Sequence, residues 1–177
     1  MVIKNRTKRL SIYRGLPGSG KSTKARESGA IIVEPQDQWA CQEGDYALDL
    51  TYGEWDMTMA KSYRLVDFLM REGYDIAVAE VLPKLEDVDP YLLLAHIHGY
   101  NVDVVDLHCE SLDINESRST HDVPLWRLQV FQEAWEDWDG THYKYSKISF
   151  EKAGELYDAL LEGLINVRDP ILCKSRG

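Results

Sequence analysis

Cysteine is scarce in this sequence and badly placed for cross-linking. The three present, Cys41, Cys109 and Cys173, are odd in number, far apart, and form no Cys-x-x-Cys pair. That excludes a disulfide framework and a cysteine-built zinc site, and it points to a reducing, cytoplasmic compartment. Long apolar runs are missing too: nothing approaches the roughly 18–20 residues a membrane helix needs. Met1 to Arg6 is basic, with no apolar stretch or small-residue cleavage site behind it, so no secretory leader is expected. With 12 glycines and 6 prolines in 177 residues, collagen-like and low-complexity classes drop out. Basic side chains are outnumbered 20 to 30, a net charge of −10. Coating nucleic acid through general electrostatics is excluded by that balance.

What remains is ordinary globular composition, 44% hydrophobic and 28% charged, enough for one sizeable core and short for two. A single domain over residues 1–177 is expected. The charge is unevenly spread. Residues 1–26 carry eight basic side chains (Lys4, Arg6, Lys8, Arg9, Arg14, Lys21, Lys24, Arg26) and no acidic one. With only 12 basic and all 30 acidic side chains, the remainder holds −18. The asymmetry suggests a local positive region that gathers a phosphorylated ligand, or else a merely solvated basic terminus.

Short apolar runs alternate with segments of helical spacing. Strands are expected over 10–14, 30–33, 75–79, 102–107 and 145–149. Helices are expected over 20–28, 54–71, 88–98, 124–138 and 150–165, the fourth opened by Pro124. Such alternation predicts an α/β fold of three layers around a five-stranded parallel sheet.

One motif dominates. Gly15, Leu16, Pro17, Gly18, Ser19, Gly20, Lys21, Ser22 and Thr23 satisfy G-x-x-x-x-G-K-[ST] at every fixed position. Its glycines let consecutive backbone N–H groups point into one concavity, and the following helix adds the positive end of its dipole. Lys21 is placed for the β- and γ-phosphates of a nucleoside triphosphate and Ser22 for Mg²⁺. ATP and Mg²⁺ are therefore the expected ligands.

In doubly wound sheets the remaining chemistry lies past the C-terminal ends of the strands. Asp37, four residues beyond Val33, either accepts a hydroxyl proton or caps a turn; Glu34 is its rival. Glu80, directly after the third strand, either holds Mg²⁺ through water, as Walker-B acids do, or is one surface glutamate among many. Arg118 is the sole arginine between Arg71 and Arg127. It sits in a polar, capless stretch, 109–122, suited to a short lid that stabilises developing phosphoryl charge. His121 is a lesser candidate there. Trp39, Tyr46, Tyr52 and Trp55 either join the core or stack a nucleobase.

With these residues in place, the chain resembles the polynucleotide-kinase-like branch of the P-loop kinases over about residues 10–138. That branch includes phage polynucleotide kinase, phage 5-hydroxymethyluracil DNA kinases and NEDD4-binding protein 2-like kinases. The likeness rests on Arg14 to Thr23, on Gln36-Asp37-Gln38-Trp39, and on Glu116 to Pro124. It implies a P-loop kinase fold, a general-base role for Asp37 and a lid role for Arg118. Two departures stand out: the family's second aspartate is Gln38, and its Asp-x-Asn is Glu80-Val81-Leu82. The resemblance implies ATP- and Mg²⁺-dependent phosphorylation of a hydroxyl. The acceptor would be nucleic acid, either a 5′-hydroxyl end or the hydroxymethyl group of a modified base. A kinase of a free nucleotide or small metabolite is the alternative. From another class, an ATPase or switch module would act through a partner, with Trp126 to Trp138 as its docking run.

Overall fold

A computed structural model describes residues 7–35, 52–140 and 145–166. Four short segments form its sheet: β1 (Arg9–Gly15), β2 (Ile31–Val33), β3 (Ile76–Glu80) and β4 (Asn101–Leu107). Their order is β2-β3-β1-β4, and every pairing is parallel. Burial along its whole length explains why β3 reads as a continuous apolar run up to Glu80, whereas β1 and β4 alternate. Register sets Arg14 beside Glu80 on one side and Asp106 on the other, so three charged residues share the last row of the sheet.

Side chains of successive residues leave a strand on opposite faces. Leu10, Ile12, Ile76 and Val78 face the main core, which is completed by α2 (Tyr52–Arg71), α3 (Asp89–His98) and α6 (Phe150–Asn166). On the other face Ala77 and Ala79 are small enough for the short α1 (Lys21–Glu27) to seat Ala25 directly on β3. The result is the expected three-layer order of helix, sheet and helix. At the base of the main core Tyr63 meets Tyr91 edge-on at 5.0 Å, and the Tyr91 hydroxyl lies 3.1 Å from Ser62 Oγ. No helix among the described residues is long and apolar enough to cross a membrane.

Three expectations need correction. The sheet has four strands among the described residues, not five. Tyr145 to Ser149 is a turn: its apolar residues, Tyr145 and Ile148, are three apart, and the Ile148 N–H donates to the Tyr145 carbonyl at 3.3 Å. Ser149 then opens α6, its hydroxyl accepting from Lys152 N at 3.1 Å. The stretch 109–122 is not capless, because Ser111 caps α4 (Leu112–Arg118) by accepting from Ile114 N at 3.4 Å. Finally, α5 (Leu125–Glu133) stops short of Trp138. There Glu136 N donates to the Pro83 carbonyl at 2.8 Å and Trp138 N to Asp106 Oδ2 at 2.7 Å. Those bonds to the strand ends replace the helix.

Candidate active site

The loop between β1 and α1 is shaped by what its glycines exclude. A Cβ on Gly15 would lie 2.3 Å from Ser19 Oγ and 2.6 Å from the Leu107 carbonyl oxygen. Gly18 sits at φ +79°, and a Cβ there would meet the Asn115 carbonyl oxygen at 2.1 Å. Gly20 caps α1 at φ +92°, with nothing within 4 Å of where its Cβ would be. Each of the three therefore does different work: the first closes the loop on itself, the second seats it on α4, and the third leaves its inner face open.

The loop carbonyls are taken up from outside. Leu16 O accepts from Ser19 N and from Lys21 Nζ, each at 3.0 Å. Pro17 O accepts from buried Asn115 Nδ2 at 2.9 Å, and Gly18 O from Cys109 Sγ at 3.6 Å. Those bonds fix the path of the loop, and a fixed glycine-rich loop of this kind suits an anion. Ser19 Oγ is buried without a hydrogen-bond partner among the described residues, a donor in keeping with a phosphate oxygen as its missing partner. The cradle fits a triphosphate.

A cleft of about 680 Å³ opens in front of this loop. Its walls are loop residues 17 to 23, Glu34 just past β2, Glu80 at the end of β3, Arg118 at the end of α4 and His121 from the α4–α5 connection. The structure thus brings together Lys21, Ser22, Thr23, Glu80 and Arg118, which the sequence places in one site from three separate stretches. Glu80 is 2% exposed, so it is no surface glutamate. Its Oε1 accepts from Val81 N at 2.9 Å. Ser22 and Glu80, a hydroxyl and a carboxylate beside the cradle, are the hard oxygen donors Mg²⁺ takes. Asp37, with Trp39 and Tyr46, falls outside the described residues, as do the side chains of Tyr52 and Trp55.

Sequence reasoning missed three functional supports. Asn115 and Cys109 hold the loop from α4 and from the end of β4, and their contacts are purely tertiary. Arg14 was grouped with the phosphate-gathering cations, yet it is fully buried. Its Nη1 donates to Asp106 Oδ1 at 2.9 Å, Nε and Nη2 donate to the Leu82 carbonyl at 3.0 and 2.8 Å, and Nη2 also reaches the Glu136 carbonyl at 3.0 Å. Burial pulls its pKa below the usual arginine value, against the opposing pull of Asp106. A signal existed: Leu10, Ile12 and Arg14 alternate along β1, as Val102, Val104 and Asp106 do along β4. Of the remaining basic side chains, Lys24 and Arg26 line the cleft with Lys21.

A second cleft, about 440 Å³, lies against Leu16 and Asn115 and is bounded by Cys109, Gln132 and Trp135. The run proposed for partner docking is divided: Leu128 is buried, Trp135 stacks under Arg14 at 4.7 Å, Trp138 packs on the core, and Trp126 and Val130 are exposed.

The chain matches no protein-family model and no curated protein by sequence. Solved structures do match. A chain of the Pnkp1/Rnl/Hen1 RNA repair complex superposes with a TM-score of 0.60 at 15% identity, over 84% of this chain and 49% of that one. A sugar kinase from Janibacter sp. gives 0.54 at 19%, over 90% and 98%. The Mycobacterium tuberculosis APS kinase CysC, solved with AMPPNP and APS, gives 0.50 at 18%, over 88% and 98%. The chain spans about half the length of the repair-complex chain it matches. These likenesses establish the fold, an α/β arrangement around a parallel sheet like that of P-loop kinases.

Proposed function

We propose that this chain is an ATP- and Mg²⁺-dependent kinase that transfers the γ-phosphoryl group to a hydroxyl on nucleic acid. The acceptor is a 5′-hydroxyl end or the hydroxymethyl group of a modified base such as 5-hydroxymethyluracil. One observation carries the reading: the phosphate loop, Glu80 and Arg118 line a single cleft.

In this reading the N–H groups of the loop and Lys21 bind the β- and γ-phosphates. Ser22 and Glu80 would hold Mg²⁺, which when bound would supply positive charge against the phosphates. Asp37 takes the proton from the acceptor hydroxyl as its oxygen bonds to the γ-phosphorus, and ADP leaves. Arg118 meets the charge that spreads over the transferring group. The nucleoside end of ATP would lie toward the second cleft, on Leu16 and Trp135. Residues 109–122 act as a lid within one kinase domain.

Support for the nucleic-acid acceptor comes from the resemblance at Asp37 and at the lid, and from the likeness to the RNA repair structure. A small-metabolite acceptor is favoured by a different observation. The sugar kinase and the APS kinase each match over 98% of their length, whereas about half of the repair chain lies outside the match.

The deciding experiment is transfer of labelled γ-phosphate to 5′-hydroxyl oligonucleotides, end-blocked DNA carrying 5-hydroxymethyluracil, free deoxynucleotides and small sugars. The nucleic-acid reading expects label on one of the first two, cut roughly 100-fold by Asp37→Asn with nucleotide binding retained. Label confined to free nucleotides, sugars or released phosphate would overturn it.

A further inference from the structure

Burying a guanidinium is expensive unless every face of it is used, and a hydrophobic residue would fill the same space at no such cost. Arg14 therefore needs an explanation beyond packing. Its partners are backbone carbonyls where the chain has already left the sheet: Leu82 and Pro83 after β3, and Glu136 after α5. Leu82 is held at φ +44°, in the left-handed region that a leucine rarely enters. That conformation is strained for a residue with a Cβ. Two of the Arg14 hydrogen bonds end on this residue's carbonyl oxygen. One peptide earlier, Val81 N–H donates to Glu80 Oε1, so the path of the corner also sets how the carboxylate points. Strained backbone of this kind persists only where its surroundings over-determine it, and such places cluster at working sites.

We propose that Arg14 is a positioning residue: it locks the Glu80–Pro83 corner and thereby presents Glu80 to the phosphate end of the cleft. The inference rests on the kinase reading and names a device within that site. Arg14 touches neither the cleft nor its ligands. It acts through Leu82 and Val81 on Glu80, much as outer-shell partners orient metal ligands, whose loss costs about 10–100-fold in metal affinity.

The test is a double-mutant cycle read by binding rather than by turnover. Arg14→Lys retains the charge facing Asp106 but lacks the fork that reaches Leu82 and Glu136 together. AMPPNP binding is measured by calorimetry across a Mg²⁺ titration and again in chelator, with thermal unfolding recorded for every variant. The expected result is a Mg²⁺ midpoint raised about tenfold or more, with metal-free AMPPNP affinity changed by less than about threefold. In a Glu80→Gln background the same substitution should add almost nothing, since its effect runs through Glu80. As a control for folding, Asp106→Asn leaves the Arg14 bonds to the carbonyls in place. It should lower the unfolding temperature and leave the Mg²⁺ midpoint where it was. Additive effects of Arg14→Lys and Glu80→Gln, or a midpoint that follows stability in both Arg14→Lys and Asp106→Asn, would overturn the proposal. A wild-type chain that binds AMPPNP with a normal Mg²⁺ response, alongside an unshifted Arg14→Lys, sinks this inference alone. A wild-type chain that does not bind AMPPNP at all sinks the kinase reading and this inference with it.

Discussion

Gly18 and Gly20 differ in a way that stability measurements can read. Both occupy left-handed backbone, at φ +79° and +92°, so an alanine at either costs roughly 1–2 kcal/mol in conformation. Beyond that they part. At Gly20 the added methyl meets nothing within 4 Å, so strain is the whole cost. At Gly18 it would stand 2.1 Å from the Asn115 carbonyl oxygen, a backbone atom that cannot swing aside. Relief to an ordinary contact of about 3.5 Å moves α4 and the loop apart by more than about 1 Å. That separation breaks the 2.9 Å bond from Asn115 Nδ2 to the Pro17 carbonyl. A buried amide left unpaired adds roughly 1–3 kcal/mol. The sum for Gly18→Ala is about 2–5 kcal/mol, or roughly 4–20 °C in Tm at this chain length; Gly20→Ala should lose about 2–8 °C. Nucleotide binding should fall in the opposite order, because the methyl at position 20 stands in the mouth of the cradle, and a loss of roughly tenfold or more in AMPPNP affinity is expected. Thermal unfolding and calorimetry on the two variants suffice. Equal losses of Tm, or a larger loss at Gly20, would refute the assignment of Gly18 to the α4 contact.

Lys21→Ala should abolish transfer and weaken ATP binding together, whereas Arg118→Ala should lower kcat by more than it raises KM for ATP. Equal changes in kcat and KM for Arg118→Ala would make that arginine a ground-state clamp, and steady-state kinetics distinguish the two. Tyr63 and Tyr91 titrate above the usual phenol range because burial disfavours their phenolates. Their folded-state pKa values exceed the unfolded ones, so the stability they confer is intact below about pH 10 and is lost as pH rises beyond it, by about 1.4 kcal/mol per pH unit for each group. Urea unfolding across pH 9.5 to about 11 should show such a slope, to which Tyr145 and Tyr157, also raised by burial, add, and Tyr91→Phe should remove one group's share of it. An unchanged slope in Tyr91→Phe would remove Tyr91 from the buried pair.

The legible parts of this molecule are those in which local chemistry and tertiary environment ask for the same residue. Ile76 to Ala79 reads as a buried strand because both of its faces are covered, and Ala30-Ile31-Ile32-Val33 reads the same way although only Val33 is fully buried. The phosphate loop is readable because left-handed backbone at Gly18 and Gly20 and close neighbours at Gly15 and Gly18 all ask for glycine. Errors arise where a distant partner outbids the local pattern. The 145–149 stretch has strand-forming residues, but its Tyr145 and Ile148 are claimed by the main core from a turn. The helix expected to reach Trp138 ends early because Pro83 and Asp106 take its N–H groups.

Arg14 is the instructive case, because its alternation with Leu10 and Ile12 was visible and charge prevailed over periodicity in the reading. An arginine next to a phosphate loop invites a role toward phosphate. Yet a cation three residues along a core-facing row must be neutralised inside the protein or not be there, and in parallel register its neighbours are Glu80 and Asp106. Of those two carboxylates, Asp106 takes the ion pair, at 2.9 Å, while Glu80 lines the cleft. The arginine is thus paired with one acid and with carbonyls beyond the other, whose side chain lines the cleft. A lysine at position 14 makes the same charge balance but cannot reach three segments at once. Periodicity in the sequence therefore identifies the buried row, and only the fork geometry of the guanidinium explains how one member of that row ties the ends of three segments together.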